Sequence, residues 1–290
     1  MYSEIASNKR KTVLLIGGFI GLIGLLTYIA GLYYQDFTIT VGALIGSIIY
    51  VLISYYSSAR LALTFNGAQE IEKRDNPRLW RIVENLAITE GLPMPRVHII
   101  TDAGLNAFAT GRDPHHAHVA ITTGLLELLD DKELQGVMAH ELGHVKNYDI
   151  RVSMVVFGLV MVVSFLADIF LRMSFYGSDD DDAPAWVALL AVVAMILAPI
   201  IAALVQASIS RKREYLADAT GALTTRYPEG LASALEKLKT GNTGLKRQNT
   251  STAHLFFANP LKRRAFASLF DTHPPIDDRI AKLREMGNTL

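Results

Sequence analysis

Residues 130–146, DDKELQGVMAHELGHVK, contain the most informative pattern of the chain, His140-Glu141-Leu142-Gly143-His144. Asp130 and Glu133 have the spacing of a capping box, which predicts that a helix begins at about Asp131. Two histidines four residues apart lie on one face of such a helix and can bind one zinc ion. The glutamate beside the first histidine can take a proton from a water that the ion activates. The alternative is a helix that carries two histidines and binds no metal.

The composition indicates a protein that lies partly in lipid. Of the 290 residues, 50% are hydrophobic and 19% are charged, and the formal net charge is zero. A chain without an excess of basic residues gives no indication of nucleic-acid binding. Because the chain contains no cysteine, disulfides are excluded and any zinc site must use histidine, aspartate or glutamate.

Four long apolar runs are each about 20 residues long, which is enough for a helix to cross a hydrocarbon core of about 30 Å. They cover residues 12–34, 37–56, 152–170 and 186–209. The short connections within each pair predict two transmembrane hairpins, so four transmembrane helices are expected. The third run contains an acidic residue, Asp168, near its end, which is unusual in a span.

Lysine and arginine flank these runs unequally, which predicts their orientation in the membrane. Basic residues precede the first and third runs and follow the second and fourth, whereas the connector 35–37 has none. The connector 178–184 contains Asp179–Asp182, and Arg172 is the one basic residue on that side. Both termini and the segment 60–151 are therefore expected in the cytoplasm. The predicted division is a hairpin, the first part of a soluble domain, a second hairpin and the second part of that domain, over residues 1–59, 60–151, 152–209 and 210–290.

The two soluble parts have the patterning of a small α+β domain. An amphipathic helix is predicted over residues 77–90, and strands are predicted over 97–101 and 118–122. Residues 106–111 are consistent with a third strand or with an extended loop. The helix from Asp131 is expected to continue towards the third apolar run. Further helices are expected over 211–223, over 227–238 and from Ile276. The predicted fold class is therefore mainly α with a small β-sheet.

A third metal ligand is predicted from the topology. Two membrane crossings return the chain to the side it left, so Glu214 should reach the same membrane boundary as the two histidines. Zinc held by two histidines needs a third protein ligand and an open position. Asp218 lies four residues later and can accept a hydrogen bond from the outer nitrogen of a ligand histidine. The alternative is that both acidic residues balance the charges of Arg211–Arg213 on a solvated face.

A second group of histidines has less support as a metal site. His115, His116 and His118 lie close together, but no acidic or cysteine partner is evident in the sequence near them. We therefore interpret this segment as a surface loop. His98 lies inside a predicted apolar strand, which favours a structural role.

Four features occur together in this chain. They are the five residues His140–His144 followed by Asp149, the segment Arg213–Asp218, the tail Thr272-His273-Pro274-Pro275 with Arg279, and the segment Asn106–Gly111. Together they resemble the HtpX-type membrane zinc metalloproteases, which are gluzincins related to the type I CAAX prenyl proteases. The resemblance covers nearly the whole chain. It implies an integral membrane endopeptidase with four transmembrane helices and a cytoplasmic zincin-like domain of the α+β type.

The resemblance also implies roles for individual residues. One zinc ion per subunit would be bound by His140, His144 and Glu214, with Glu141 as the general base. His273 would assist catalysis near the ion. Three further residues would support the metal ligands: Asp218, Asp149 and Arg279. One strand would line the substrate cleft: Asn106, Ala107, Phe108, Ala109 and Thr110.

The implied function is cleavage of misfolded or damaged membrane proteins and of unfolded polypeptides, in membrane protein quality control and the stress response. The expected location is the cytoplasmic membrane of a prokaryote, with several spans and the active site facing the cytoplasm. Polypeptides and the lipid bilayer are the expected partners. Two alternatives remain: a prenyl-protein protease, and a polytopic metal transporter or scaffold without proteolytic activity. A transporter should place its metal ligands inside its spans, whereas His140, His144 and Glu214 flank theirs.

Overall fold

The computed structural model describes residues 2–161, 211–241, 255–257 and 274–288. The fourth apolar run, residues 162–170 of the third, and the predicted residues Asp168, Asp179–Asp182 and His273 lie outside these ranges. Within the described residues the protein is mainly helical with one small mixed sheet, as the sequence predicts.

The first two helices form a hairpin. Helix α1 covers Tyr2–Tyr34 and helix α2 covers Thr38–Phe65, so they contain the first two predicted apolar runs apart from Phe37, which precedes α2. Among the described residues, Thr40–Phe65 is the one helix that is long and apolar enough to cross a membrane. The four-helix membrane arrangement and its sidedness therefore stay predictions. Helix α2 continues past the predicted end of its run, which brings Ala62 and Leu63 into the core beneath the sheet.

The sheet has four strands in the order β1-β2-β4-β3. They are β1 (Ala68–Glu70), β2 (Arg96–Ile100), β3 (Ala107–Gly111) and β4 (Ala117–Thr122). Strands β2 and β4 are parallel, whereas β1 pairs with β2 and β3 pairs with β4 in antiparallel register. The segment 106–111, for which strand and loop were both open, is therefore a strand at the edge of this sheet. The three-residue strand β1 is not predicted by the sequence.

Each face of the sheet packs against a different layer, because successive side chains of a strand point to opposite faces. Val97, Val119 and Ile121 lie in the large core with the soluble helices. Ile100 and Phe108 lie in a smaller core with α2 and with a helix that contains the first part of the third apolar run. The sheet therefore lies between the helices of the large core and the N-terminal hairpin.

The remaining described helices contribute to these cores. They are α3 (Pro77–Glu90), α4 (Thr123–Leu128), α5 (Asp131–Lys146), α6 (residues 149–161 in its described part), α7 (Arg211–Thr225), α8 (Pro228–Gly241) and α9 (Ile276–Gly287). The predicted soluble helices are confirmed at these positions, whereas α4 and a short 3-10 turn over Pro114–His116 are not predicted. Helix α3 begins where the Asn76 side chain accepts a hydrogen bond from the Leu79 N–H, and it ends at Gly91, whose φ is 67°.

Helix α5 lies at the centre of the large core. It begins with the predicted capping box, because the Asp130 side chain accepts from the Glu133 N–H while the Glu133 carboxylate accepts from the Asp130 N–H. The predicted apolar stripe of this helix is fully buried: Leu134, Val137, Met138, Leu142 and Val145.

The expectation that α5 runs on towards the third apolar run is wrong. The helix ends at Lys146, and a new helix begins after Asn147 and Tyr148. Tyr148 has a φ of 60°, in the left-handed region, which a continuous α-helix does not allow. The side chain of Asn8 donates a hydrogen bond to the Asn147 carbonyl oxygen, so tertiary contacts hold this break.

Glycines allow unusually close contacts between α5 and its neighbours. A Cβ added at Gly221 of α7 would lie 3.0 Å from the backbone nitrogen of His140. A Cβ at Gly136 of α5 would lie 2.7 Å from the backbone nitrogen of Leu231 in α8. Since only glycine lacks a Cβ, these positions set how closely α7 and α8 approach the helix that carries both histidines. This approach places Glu214, on α7, beside them.

Candidate metal centre

Three predicted ligands converge at the contact between α5 and α7. The side-chain donor atoms of His140, His144 and Glu214 all lie within 4.8 Å of one another. The two Nε2 atoms are 3.1 Å apart, and they lie 3.8 Å and 3.6 Å from the carboxylate oxygens of Glu214. Donor atoms at about 2.0–2.2 Å from one tetrahedral zinc ion are roughly 3.3–3.6 Å from each other. The spacing therefore fits a single ion of this size.

The outer nitrogens of both histidines face carboxylates. His140 Nδ1 lies 2.9 Å from Asp218 Oδ1, and His144 Nδ1 lies 3.0 Å from Asp149 Oδ2. A carboxylate at Nδ1 favours the tautomer in which that nitrogen carries the proton. When both rings are neutral, the two Nε2 atoms therefore direct lone pairs towards each other and towards Glu214. Such an arrangement of acceptors is stable when a cation lies between them, so the residues fit a metal ion.

Each of these carboxylates is held in turn by further side chains. Arg279 donates two hydrogen bonds to Asp218, of 2.8 Å from Nε and 2.7 Å from Nη2. Asp149 Oδ1 accepts a 2.7 Å hydrogen bond from Asn8 Nδ2 and a longer one, of 3.3 Å, from Arg213 Nη1. The structure therefore brings Asp149, Asp218 and Arg279 to the site as predicted, while Asn8 and Arg213 were missed.

An aromatic side chain completes the packing around the first histidine. The ring of Phe257 lies 4.9 Å from the ring of His140 and 4.9 Å from the Arg279 guanidinium. This residue was also missed, because nothing in its local sequence distinguishes it from other buried phenylalanines.

The electrostatics of the site favour a cation. Burial alone would raise the pKa of Asp218, but Arg279 and His140 lower it to about 2, so its carboxylate stays charged. Burial lowers the pKa of His140 to about 4 against the opposing effect of Asp218. Burial also opposes the charge on His144, yet Glu214 and Asp149 raise its pKa to about 9. Positive charge is therefore stabilised beside Glu214 and Asp149, where His144 lies.

Glu141 lies at the same site. It is only 2% exposed, and its charge contributes to the raised pKa values of both His144 and Arg279. Its position beside His140 on α5 is the position that the motif predicts for a general base.

The predicted substrate strand is only partly available for pairing. The Asn106 carbonyl accepts from the Thr122 N–H, and the Asn106 side chain accepts from the Ala107 N–H. The Ala107 carbonyl accepts a 2.8 Å hydrogen bond from the Phe257 N–H. Asn106 and Ala107 therefore have protein partners already, and Phe108 and Thr110 face β4 in the same alternation as Asn106. Among the described residues of β3, this leaves the backbone groups of Ala109 pointing away from the sheet.

The other histidine group does not form a metal site among the described residues. His116 Nδ1 lies 2.8 Å from Asp113 Oδ1, an acidic partner that the sequence analysis did not identify. The rings of His98 and His118 lie 5.2 Å apart on neighbouring strands, and His98 is buried as predicted. Within the described ranges, the group at α5 and α7 is the one set of three residues that could hold a metal.

This chain is similar to known proteins in both sequence and fold. The family model described as Peptidase family M48 matches residues 73–287. A protein named Protease HtpX homolog from Tropheryma whipplei (strain Twist) is 53% identical over 290 residues, covering 99% of both chains. One of the same name from Lactobacillus acidophilus is 45% identical over 300 residues, covering 99% of this chain and all of its own. The crystal structure of S. mikatae Ste24p has a similar fold, with a TM-score of 0.52 and 20% identity, covering 98% of this chain and 67% of that one.

Proposed function

The chain belongs to peptidase family M48 and is a metallopeptidase, and from this premise we propose that it is a zinc-dependent endopeptidase of the membrane. His140, His144 and Glu214 would hold the ion, and Glu141 would act as the general base. The observation that supports the proposal most directly is the convergence of three donor atoms within 4.8 Å, beside a buried glutamate.

The donor set supports zinc as the metal. Two imidazole nitrogens and one carboxylate are the ligands of many catalytic zinc sites, which keep a fourth position open. Zinc, when bound, would polarise the scissile carbonyl and lower the pKa of water towards neutrality. The carboxylates of Asp218 and Asp149 would keep both histidines in the tautomer that binds a metal through Nε2.

Glu141 would move the proton in this reaction. Its carboxylate would accept a proton from the attacking water and pass it to the leaving amine. The developing oxyanion requires a further donor, and the resemblance of the tail suggests His273 for this role. An extended peptide would bind along the outer edge of β3 beside Ala109, where main-chain pairing favours a broad sequence preference.

The membrane location is supported by the surface of the first hairpin. Large apolar side chains of α1 and α2 are more than half exposed in the structure, among them Val13, Leu14, Val41, Ile45 and Leu52. Such a surface is stable in contact with lipid. We propose four spans with the metal centre on the cytoplasmic side, and unfolded or damaged membrane proteins as substrates.

Cysteine labelling tests the orientation, since the chain has no native cysteine. Single cysteines at Ser178 and Ser251 would be labelled in intact cells with an impermeant thiol reagent. The proposal expects labelling at Ser178 and protection at Ser251. The reverse pattern would refute the proposed orientation.

Glu141→Gln tests the catalytic mechanism because it keeps size and hydrogen bonding while removing the base. Bound zinc should be unchanged, while casein cleavage should fall by about 10² to 10⁴. Glu127→Gln, the same change at an exposed residue of α4, is the matched control and should cleave at the wild-type rate. Glu214→Ala should lose most of its zinc. Full activity of Glu141→Gln with zinc bound would refute the mechanism.

A further inference from the structure

The beginning of the N-terminal helix reaches the metal centre. Asn8 of α1 is fully buried, and its Nδ2 donates hydrogen bonds to Asp149 Oδ1 and to the Asn147 carbonyl oxygen, of 2.7 Å and 2.9 Å. The next residue, Lys9, places its ammonium 4.8 Å from the ring centroid of Tyr148. Helix α1 therefore contacts three consecutive residues at the junction between α5 and α6.

The hydrogen bond from Asn8 acts on the carboxylate that faces a predicted metal ligand. Asp149 uses Oδ2 towards His144, and its other oxygen, Oδ1, accepts from Asn8. A carboxylate held by a donor at one oxygen cannot rotate freely, so its second oxygen stays aimed at the imidazole. The orientation of the His144 ring, and of its Nε2 atom, follows from this contact.

The two predicted histidine ligands differ in how their carboxylates are held. Asp218, beside His140, receives two short hydrogen bonds from Arg279. Among the described residues, Asp149 receives one hydrogen bond from an arginine, the 3.3 Å contact with Arg213. The short hydrogen bond to Asp149 comes from Asn8. Asn8 therefore restrains Asp149 in the way that the second hydrogen bond of Arg279 restrains Asp218.

The same amide satisfies a backbone group at the end of α5. The last carbonyls of a helix have no partner within it, and the left-handed conformation of Tyr148 turns the chain away at this point. Asn8 donates to the carbonyl of Asn147, while its own Oδ1 has no hydrogen-bond partner among the described residues. A buried amide used only through its donors is suited to holding acceptors in place.

We propose that Asn8 is a positioning residue of the metal centre, which orients His144 through Asp149. The inference rests on the proposed function, because it assigns Asn8 a role at a site that holds zinc. It makes the cytoplasmic beginning of the first membrane helix part of the metal centre.

The test measures zinc affinity of the full-length protein in nonionic micelles, by competition with a chromophoric chelator. Asn8→Ala should bind zinc about 10-fold more weakly and release it faster, as expected for an outer partner of a ligand histidine. Thr12→Val is the matched control. Thr12 is buried on the same helix and its hydroxyl donates only to the Asn8 carbonyl within that helix, so zinc affinity should not change.

A double variant separates positioning from a general structural role. In an Asp149→Ala background, Asn8→Ala should cause no further loss of zinc affinity, because the carboxylate on which it acts is gone. If Asn8 had a structural role independent of Asp149, Asn8→Ala would lower zinc affinity in this background by the same factor as in the wild type. Asn8→Asp, which keeps the size but removes both donors, carries the test if Asn8→Ala does not fold, and should also weaken zinc binding.

Wild-type zinc affinity in both single Asn8 variants, or an additive loss in the double variant, would overturn the proposal. The readout is independent of proteolysis. Wild-type protein that binds zinc and does not cleave casein would refute the protease proposal, while the Asn8 variants would still decide the positioning role.

Discussion

Arg279 pairs with Asp218, the carboxylate that faces His140. Replacing Arg279 should therefore destabilise the folded protein. The residue is 1% exposed, donates two hydrogen bonds to Asp218 and covers the ring of Phe257. Arg279→Met keeps the length of the side chain and removes its charge. The carboxylate of Asp218 would then remain buried with His140 as its remaining described partner.

The expected loss of stability follows from the burial of the ion pair between Arg279 and Asp218. Removing one partner of a buried ion pair costs about 3–5 kcal/mol, because the other charge is left without compensation. Opposite charges about 4 Å apart at an effective dielectric constant of about 20 attract by about 4 kcal/mol, which agrees. Total stabilities of about 5–15 kcal/mol are typical, so Arg279→Met should lose a large fraction of the free energy of unfolding.

Urea unfolding of the purified protein in nonionic micelles, followed by intrinsic fluorescence, measures this loss. Arg284→Met is the matched control on the same helix. Arg284 is exposed and pairs with Glu229 and Glu236, so the control should lose no more than about 1 kcal/mol.

The double variant Arg279→Met with Asp218→Asn tests the physical reason. When both charges are removed, no unpaired carboxylate remains buried at position 218, so most of the lost stability should return. Zinc affinity should stay about 10- to 100-fold below the wild type, since the histidine has lost its charged partner. If the double variant is no more stable than Arg279→Met, or if Arg279→Met loses less than the control, the reasoning is wrong.

Three further predictions concern packing, pH and the second histidine. Gly221→Ala should cost about 1–3 kcal/mol, because the new Cβ would lie 3.0 Å from the backbone nitrogen of His140, and calorimetry of the metal-free protein checks this. Burial lowers the folded-state pKa of His118 from 6.5 to about 4, so only the unfolded chain gains its proton between these values. Stability should therefore fall as the pH drops from 6.5 to 4, and urea unfolding of His118→Gln should show a smaller fall than wild type; an equal fall would exclude this histidine as the cause. Asp149→Asn should weaken zinc binding about 10- to 100-fold through His144, and chelator competition that finds wild-type affinity would contradict this role.

Local patterns in the sequence determined the elements that carry the chemistry. The capping box at Asp130 and the four-residue spacing of His140 and His144 follow helical geometry, which depends only on neighbouring residues. The placement of Glu214 and Asp218 also followed from the sequence, since they share a helical face and the predicted topology returns the chain to one membrane boundary. These residues lie together in the structure as expected.

The tertiary structure alone decided how the ligands are held. Asn8 contacts Asp149 across 141 positions of sequence, and the end of α5 at Lys146 depends on the left-handed backbone of Tyr148. A buried polar contact between distant segments has no periodicity and no local composition that could reveal it. The approach of α7 to α5 likewise depends on the missing Cβ of Gly221, whose importance becomes visible only when the facing backbone is known. The sequence therefore determined which groups can bind and react, whereas the packing of distant segments determined their orientation.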